Sequence, residues 1–124
     1  MPSFSKETKI WSTPSETPLY NLDGNLGQII LQSLRLCPNE VLQVTANSGV
    51  QVTGRQLRIR TIRAAENLRA KGYKPGDIIA ICAKNSEHVA PVFYAGLLLL
   101  TPVNTLDPNF KVGEFDSNLC ALSS

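Results

Sequence analysis

His88 is the only histidine in the 124 residues, so a serine or cysteine nucleophile that needed a histidine base would have to use it. No recognisable nucleophile motif lies near it in the sequence. The cysteines, Cys37, Cys82 and Cys120, are far apart, odd in number and not accompanied by histidine, which argues against a disulfide framework and a zinc site. We therefore interpret His88 as a structural or surface residue. Cys82, inside an apolar segment, is predicted to be a small core residue.

Phosphate binding is the next chemistry to consider, because clustered glycines let backbone N–H groups surround a phosphate. The eight glycines are scattered, and neither GxGxxG nor GxxxxGK followed by Ser or Thr occurs. The nearest alternative is Lys84-Asn85-Ser86, between a predicted strand and a predicted helix, where a lysine and exposed N–H groups could meet an anion. Asn and Ser also serve in such loops as helix caps alone, and we prefer that interpretation.

Charged side chains elsewhere give no site. The basic residues that crowd one segment are Arg55, Arg58, Arg60, Arg63, Arg69 and Lys71. We interpret them as the solvated face of a helix rather than as an anion site. The acidic residues better explained by turns, caps and helix surfaces are Glu40, Glu66, Glu87, Asp77 and Asp107. The residues therefore predict no catalytic, cofactor-binding or metal-binding position.

The overall composition is that of a folded domain with one modest core. Hydrophobic residues make up 43% and charged residues 18% of the chain, and 12 basic against 10 acidic residues give a net charge of +2. This even balance argues against nucleic acid or a membrane surface as a partner. The longest uncharged run, Val89 to Leu106, contains two prolines and is too short to span a membrane. With no secretion signal visible at the N-terminus, we expect a reducing, intracellular setting.

The elements that would position any site begin after a polar arm, Met1 to Leu22. Apolar residues at helical spacing predict a helix from Asn25 to Cys37, capped by Asp23 or Asn25. Its predicted inner residues are Leu26, Ile29, Ile30, Leu34 and Leu36. Alternating residues on either side of Asn47-Ser48-Gly49 then predict a hairpin, 41–53.

A second helix is predicted from Thr53, as its cap, to Lys71, with Gly72 as its stop. Its predicted inner stripe is Leu57, Thr61, Ala64, Ala65 and Leu68. Ile59 and Ile62 fall on the arginine side, which suggests an apolar cover for them.

The C-terminal half is more apolar. Pro75-Gly76 predicts a type II turn before the strand Ile78 to Ala83, whose continuous apolar run is typical of burial on both faces. A helix from Ser86 to about Leu100, apolar all round, is predicted to be covered on all sides. A short strand at 102–104 and a weaker helix through Val112, Phe115, Leu119 and Leu122 complete an α/β arrangement with a mixed sheet and flanking helices.

The segment from Val52 to Phe110 resembles the opening of adenylate-forming acyl-CoA synthetases and luciferases, with the insect proteins as the nearest resemblance. The residues that match the family pattern are Thr53, Leu57, Leu68, Gly72, Gly76, Asp77, Ile79, Ala80, Ile81, Asn85, Ser86, Pro102, Val103 and Asn104. The resemblance covers roughly residues 19 to 119. It implies a flexible arm over 1–18 and a truncated N-terminal region of an AMP-dependent ligase over 19–124.

The resemblance also implies what the family does and that this segment alone would not do it. Family members use ATP and magnesium to convert a carboxylic or fatty acid to an acyl-adenylate, then usually pass it to coenzyme A. Their phosphate loop, ribose-binding acidic residues and C-terminal lysine lie downstream of the matched segment, so no catalytic residue carries over and an inactive fragment is expected.

The alternatives are a small α/β interaction module that self-associates or binds a full-length relative, and a weaker third, a membrane-attached helix protein. The family often ends in a peroxisomal Ser-Lys-Leu-type signal, whereas this chain ends Ala-Leu-Ser-Ser.

One position departs from the family pattern. Leu100 stands where glycine usually precedes the Pro-Val-Asn strand. Either the helix runs on through Leu100, or Leu100 adopts the left-handed conformation at a strained turn. Thr101 precedes a proline and is biased to an extended conformation, which favours the strained turn.

Overall fold

The structure is a computed structural model, and it describes residues 2–14, 18, 20–21 and 23–109. The elements in these residues are β1 (Ser3–Ser5), β2 (Ile10–Ser12), α1 (Leu26–Leu36), β3 (Val41–Val44), β4 (Gln51–Thr53), α2 (Gly54–Ala70), β5 (Ile79–Cys82), α3 (Val89–Leu98) and β6 (Val103–Leu106). The α/β class is confirmed. The helix predicted around Val112 to Leu122 lies outside the described residues.

Helix α1 begins directly after its N-cap residue, Asn25. The Asn25 side chain accepts a hydrogen bond from the backbone N–H of Gln28 at 2.7 Å, so Asn25 rather than Asp23 is the cap. Leu34 is buried as predicted. The prediction that Leu26 and Leu36 face inwards is wrong, because they lie at the two ends of the helix, where 57% and 80% of their surface stays exposed.

The predicted hairpin and the helix after it are both present. Strands β3 and β4 pair antiparallel, and the turn between them contains Gly49 at φ +68°. Thr53 caps α2 with a capping box: its hydroxyl accepts the N–H of Gln56 at 3.4 Å, and the Gln56 side chain accepts the N–H of Thr53 at 3.0 Å. Gly72, at φ +93°, follows the helix as its predicted stop.

The core lies where α1, α2 and β4 meet. Leu34, Val52 and Leu57 form its buried centre, and partly buried side chains pack against them from α1 and α3, namely Ile30, Leu31, Ala90 and Tyr94. The inner stripe of α2 continues through Thr61 and Ala65, which are 0% and 5% exposed. Ala64 and Leu68, predicted on the same stripe, are only half-buried.

Strands β5 and β6 pair parallel, with Ile79 opposite Val103, and α3 connects them. The prediction that the first of these strands is buried on both faces is wrong: Ile79 is buried, whereas Ala80 and Cys82 are exposed. Cys82 is therefore not the core residue that its apolar neighbours suggested. The physical reason is that, in the described residues, β5 has β6 as its sole strand partner and α3 as its main helical contact.

The strands do not join into one mixed sheet in the described part of the chain. They form separate two-stranded ladders, antiparallel for β1–β2 and β3–β4 and parallel for β5–β6. The β1–β2 ladder lies in the predicted arm and was missed by sequence reasoning. Its cross-strand pair is Phe4–Trp11, with ring centroids 5.1 Å apart, and both residues are exposed.

Helix α3 is held by close backbone approaches. A Cβ added to Gly27 on α1 would collide with the backbone of Leu98, and one added to Gly96 would collide with the Val103 side chain. Pro91, Ala95 and Gly96 are buried, but the remaining residues of α3 are half-buried. The prediction of a helix covered on all sides is therefore wrong for the described residues.

Helix α3 ends in a Schellman motif centred on Leu100. The N–H of Thr101 donates to the carbonyl of Gly96 at 3.0 Å, and the N–H of Leu100 donates to the carbonyl of Leu97 at 3.3 Å. Leu100 has φ +58°, so the left-handed turn predicted from the sequence is confirmed.

Candidate functional site

The carboxyl ends of parallel strands are where open α/β folds bind ligands. In this chain β5 and β6 end beside the first turn of α3, and a cleft of about 710 Å³ lies there. Its polar lining residues are Lys84, Asn85, Asp107 and Asn109, along with Thr105. Asp107 is held in its turn by accepting the backbone N–H of Asn109 at 2.8 Å.

A second cleft of about 670 Å³ lies on the other side of Asn85, between the end of β3 and helix α3. Its apolar wall includes Val89, Phe93 and Tyr94. The Gln43 side-chain amide donates to the backbone carbonyl of Ser86 at 3.1 Å and so ties β3 to the loop before α3.

Glu87 makes a second tie between the same two segments. Its carboxylate accepts the hydroxyl of Thr45 at 3.1 Å. The pKa of Glu87 is lowered mainly by a backbone hydrogen bond at Glu87 itself and by the Thr45 hydrogen bond. Burial opposes this lowering, and His88 and Arg60 nearby add smaller lowering effects. Glu87 is therefore ionised at neutral pH.

This carboxylate bears on the Lys84-Asn85-Ser86 loop. An anion at that loop would lie near the negative charge of Glu87, which disfavours it. Ser86 instead supports the start of α3: its carbonyl accepts the N–H of Val89 at 3.3 Å, and its hydroxyl accepts the N–H of His88 at 3.4 Å. The loop is therefore a turn that leads into α3. The prediction that Asn85 or Ser86 caps the helix is wrong, because the N-cap residue is His88 and no side chain caps the helix there.

The remaining candidate side chains are dispersed. His88 is 77% exposed and its Nε2 lies 3.5 Å from a carboxylate oxygen of Glu87, which confirms the prediction of a surface histidine. Cys82 is exposed on β5, and the half-buried Cys37 thiol donates to the carbonyl of Ser33 at 3.3 Å. Within the described ranges, no group of three or more His, Cys, Asp or Glu residues is placed to hold a metal ion.

The charged residues that line the first cleft are Lys84 and Asp107, and the described lining of the second cleft contains no Asp, Glu, Lys, Arg or His. In the part of the chain that the structure describes, no helix is both long and apolar enough to cross a membrane.

No family model matches the chain. Among curated proteins, an acyl-CoA ligase of Aspergillus fumigatus (sidI) is 34% identical over 115 residues, which cover 86% of this chain and 19% of that protein.

Among solved structures, the luciferase-like enzyme of the nonluminescent mealworm Zophobas morio superposes with a TM-score of 0.80 at 21% identity, over 87% of this chain and 26% of that chain. The N-terminal domain of FACL13 from Mycobacterium tuberculosis superposes with a TM-score of 0.71 at 24% identity, over 77% and 24% of the two chains. The chain thus spans about a fifth to a quarter of the length of the proteins that it matches.

Proposed function

We propose, for a chain that corresponds to an N-terminal segment of the adenylate-forming superfamily, that its residues are structural scaffold of an acid-activating ligase and do not catalyse adenylation on their own. The ATP, magnesium and coenzyme A that the family uses would be bound by residues other than these. The intracellular setting is part of the proposal, because Cys37 and Cys82 are free thiols of the kind that reducing compartments maintain.

The use of the glycines carries this proposal. In the described residues, each glycine lies either in a turn or where another part of the chain approaches so closely that a side chain would collide. The turn glycines are Gly24, Gly49, Gly72 and Gly76, and the packing glycines are Gly27, Gly54 and Gly96. None of them forms a phosphate cradle at the carboxyl ends of β5 and β6.

Phosphoryl chemistry sets a high requirement for such a cradle. Adenylation needs preorganised cations and N–H donors around the phosphates, because charge stabilisation supplies most of the catalysis. At the ends of β5 and β6 the sole described cation is Lys84, and Asp107 faces the same cleft. An isolated lysine opposite a carboxylate does not meet this requirement.

ATP–pyrophosphate exchange with the purified 124-residue chain tests the proposal that the chain does not catalyse adenylation on its own. We expect background exchange with fatty and aromatic acids in the presence of Mg²⁺, with the full-length Aspergillus ligase as the positive control. Exchange above background that a chelator abolishes would refute it.

A chimaera tests the scaffold half. The matched segment of the Aspergillus ligase is replaced by the corresponding residues of this chain, and we expect the chimaera to retain exchange. The same chimaera with Gly27→Ala should lose much of it, because the added Cβ collides with α3. A folded but inactive chimaera with the unaltered segment would contradict a scaffold role.

A second candidate function, a protein-interaction module, is favoured by exposed apolar residues on β3. Val41, Leu42 and Val44 are 46%, 45% and 58% exposed. Such a patch fits a partner, either a second copy or a full-length relative. Retention of the purified chain on an immobilised full-length ligase would support this candidate, and loss of retention in Val44→Lys would locate the contact.

A further inference from the structure

Strand β3 has one open edge in the described part of the chain, where its sole strand partner is β4. The N–H of Thr45 donates across this ladder to the carbonyl of Val50 at 2.9 Å. Successive residues of an antiparallel strand direct their backbone groups to opposite edges, so the N–H and carbonyl of Val44 point away from β4. The open edge therefore presents a donor and an acceptor to any strand that lies beside it.

The cleft of about 670 Å³ gives a further strand the space to lie there. It follows five consecutive residues, 43–47, which belong to β3 and the turn after it. Because neighbouring side chains of a strand point to opposite faces, a cleft lined by consecutive residues follows the edge of the strand. Its far wall is the apolar face of α3, with Val89, Phe93 and Tyr94. An added strand could pair with β3 and place apolar side chains against α3.

Little in the hairpin protects this edge from pairing. The three apolar residues of β3 are each about half exposed, and from Val41 to Thr53 no residue is charged and none is proline. Natural edge strands are usually protected by charged residues, proline or bulges. The hairpin has a register shift between Val41 and Gln43, but from Gln43 onwards its pairing is regular.

The charges of the chain favour a neutral partner at this edge. The lining of the cleft contains no Asp, Glu, Lys, Arg or His, so a charged strand would lose water there without a counter-charge. Ile59 on α2 is also exposed, but it lies one turn from Arg55 and from Arg63, so two copies that met there would bring like charges together. The edge of β3 fits a neutral apolar strand, and β3 is itself such a strand.

We infer that β3 pairs antiparallel with β3 of a second copy, so that the two hairpins form one four-stranded sheet across a two-fold axis. A two-fold contact uses the same surface of both subunits, and such dimers are the commonest homo-oligomers. The apolar residues of β3 both need a cover and suit the cleft beside α3. This inference rests on the interaction module proposed above and names its partner.

Sedimentation velocity of the full chain over a range of concentrations, at constant ionic strength, tests the dimer. We expect a reversible monomer–dimer equilibrium. Val44→Lys should raise the dissociation constant at least about tenfold, because the two-fold axis brings two ammonium groups to the same contact. Ile59→Lys is the matched control, since it places the same charge at an exposed apolar position on α2. It should change the constant by less than about twofold, as expected for a screened charge outside the contact.

Amide hydrogen exchange of the parent chain locates the contact without relying on the folding of a variant. The N–H of Val44 should exchange more slowly as the protein concentration rises, because pairing with the second copy protects it. The N–H of Thr45 is the internal control. It is already bonded to Val50 within one copy, so its protection should not depend on concentration.

A chain that stays monomeric at all concentrations, or a dimer that Val44→Lys leaves intact, would overturn the inference. Dissociation by Ile78→Lys with no effect of Val44→Lys would place the contact at β5, where Ile78 is also exposed, and would overturn it equally. A monomeric chain that is still retained on an immobilised full-length ligase would sustain the interaction module and reject a second copy as its partner.

Discussion

Replacing Leu100 by glycine isolates the cost of the turn that ends α3. Leu100 has φ +58°, a conformation in which Cβ is crowded by the following carbonyl, at a cost of about 1–2 kcal/mol for an L-residue. Glycine has no such cost, although its freedom in the unfolded chain offsets about 0.5–1 kcal/mol of the gain. The net conformational gain from glycine at this position is therefore about 1 kcal/mol.

The side chain of Leu100 contributes in the opposite direction. It is 56% exposed, so under half of the roughly 1.5–3 kcal/mol for a fully buried leucine is at stake, or about 1 kcal/mol. Leu100→Ala loses this contact and keeps the Cβ. We expect Leu100→Ala to be about 1 kcal/mol less stable than the parent and Leu100→Gly to lie close to the parent.

Urea unfolding of the three proteins, followed by circular dichroism, measures these differences. Leu99→Gly is the control variant. Leu99 has φ −84°, so glycine there relieves no backbone strain and should lower the free energy of unfolding. If Leu100→Gly is no more stable than Leu100→Ala, the left-handed turn carries no strain and the reasoning fails.

Three further perturbations test the N-cap of α2, the packing of α1 against α3 and the charge of Glu87. Thr53→Ala should cost about 1 kcal/mol in urea unfolding by removing the capping box, whereas Thr53→Ser should be nearly neutral. Gly27→Ala should cost about 1–3 kcal/mol, because its Cβ overlaps the backbone of Leu98; a stabilised variant would contradict the close packing. Glu87 has a lowered pKa, so its contribution to stability is present above its unfolded pKa and is lost as pH falls through the lower folded pKa. Thr45→Val should raise the pKa of Glu87 in a carboxyl NMR titration, and an unchanged value would exclude the Thr45 hydrogen bond as a cause.

Helix and turn boundaries could be predicted because their determinants are local. Asn25 and Thr53 were identified as caps from residue type and spacing, and both caps form. Gly72 and Gly76 were predicted in turns, and both have positive φ. The Leu100 turn was predicted for the same reason, since Thr101 precedes a proline and is biased to an extended conformation, which leaves little room for the helix to continue.

Burial could not be predicted because it depends on which other elements are present. Leu26 and Leu36 have the helical phase of core residues, but nothing in residues 23–109 covers the two ends of α1. The β1–β2 ladder was missed because strands of three residues carry too short a pattern. Helical spacing could align Arg60 with Arg63 on α2, but only the fold brings His88 on α3 near them.

The parallel pair β5–β6 connects these errors of burial with the proposed function. Parallel strands normally have both faces covered, which is why their sequences are continuously apolar. The sequence of β5 meets that condition, yet Ala80 and Cys82 are exposed, and Ile78 before it is 45% exposed. The chain spans 19–26% of the length of the proteins that it matches. If it is a scaffold segment of such a protein, as proposed, an apolar strand that no described residue covers is expected. It follows that the stability of the isolated chain should rise with its own concentration if a second copy covers this face, because binding to the folded state adds to its free energy of unfolding.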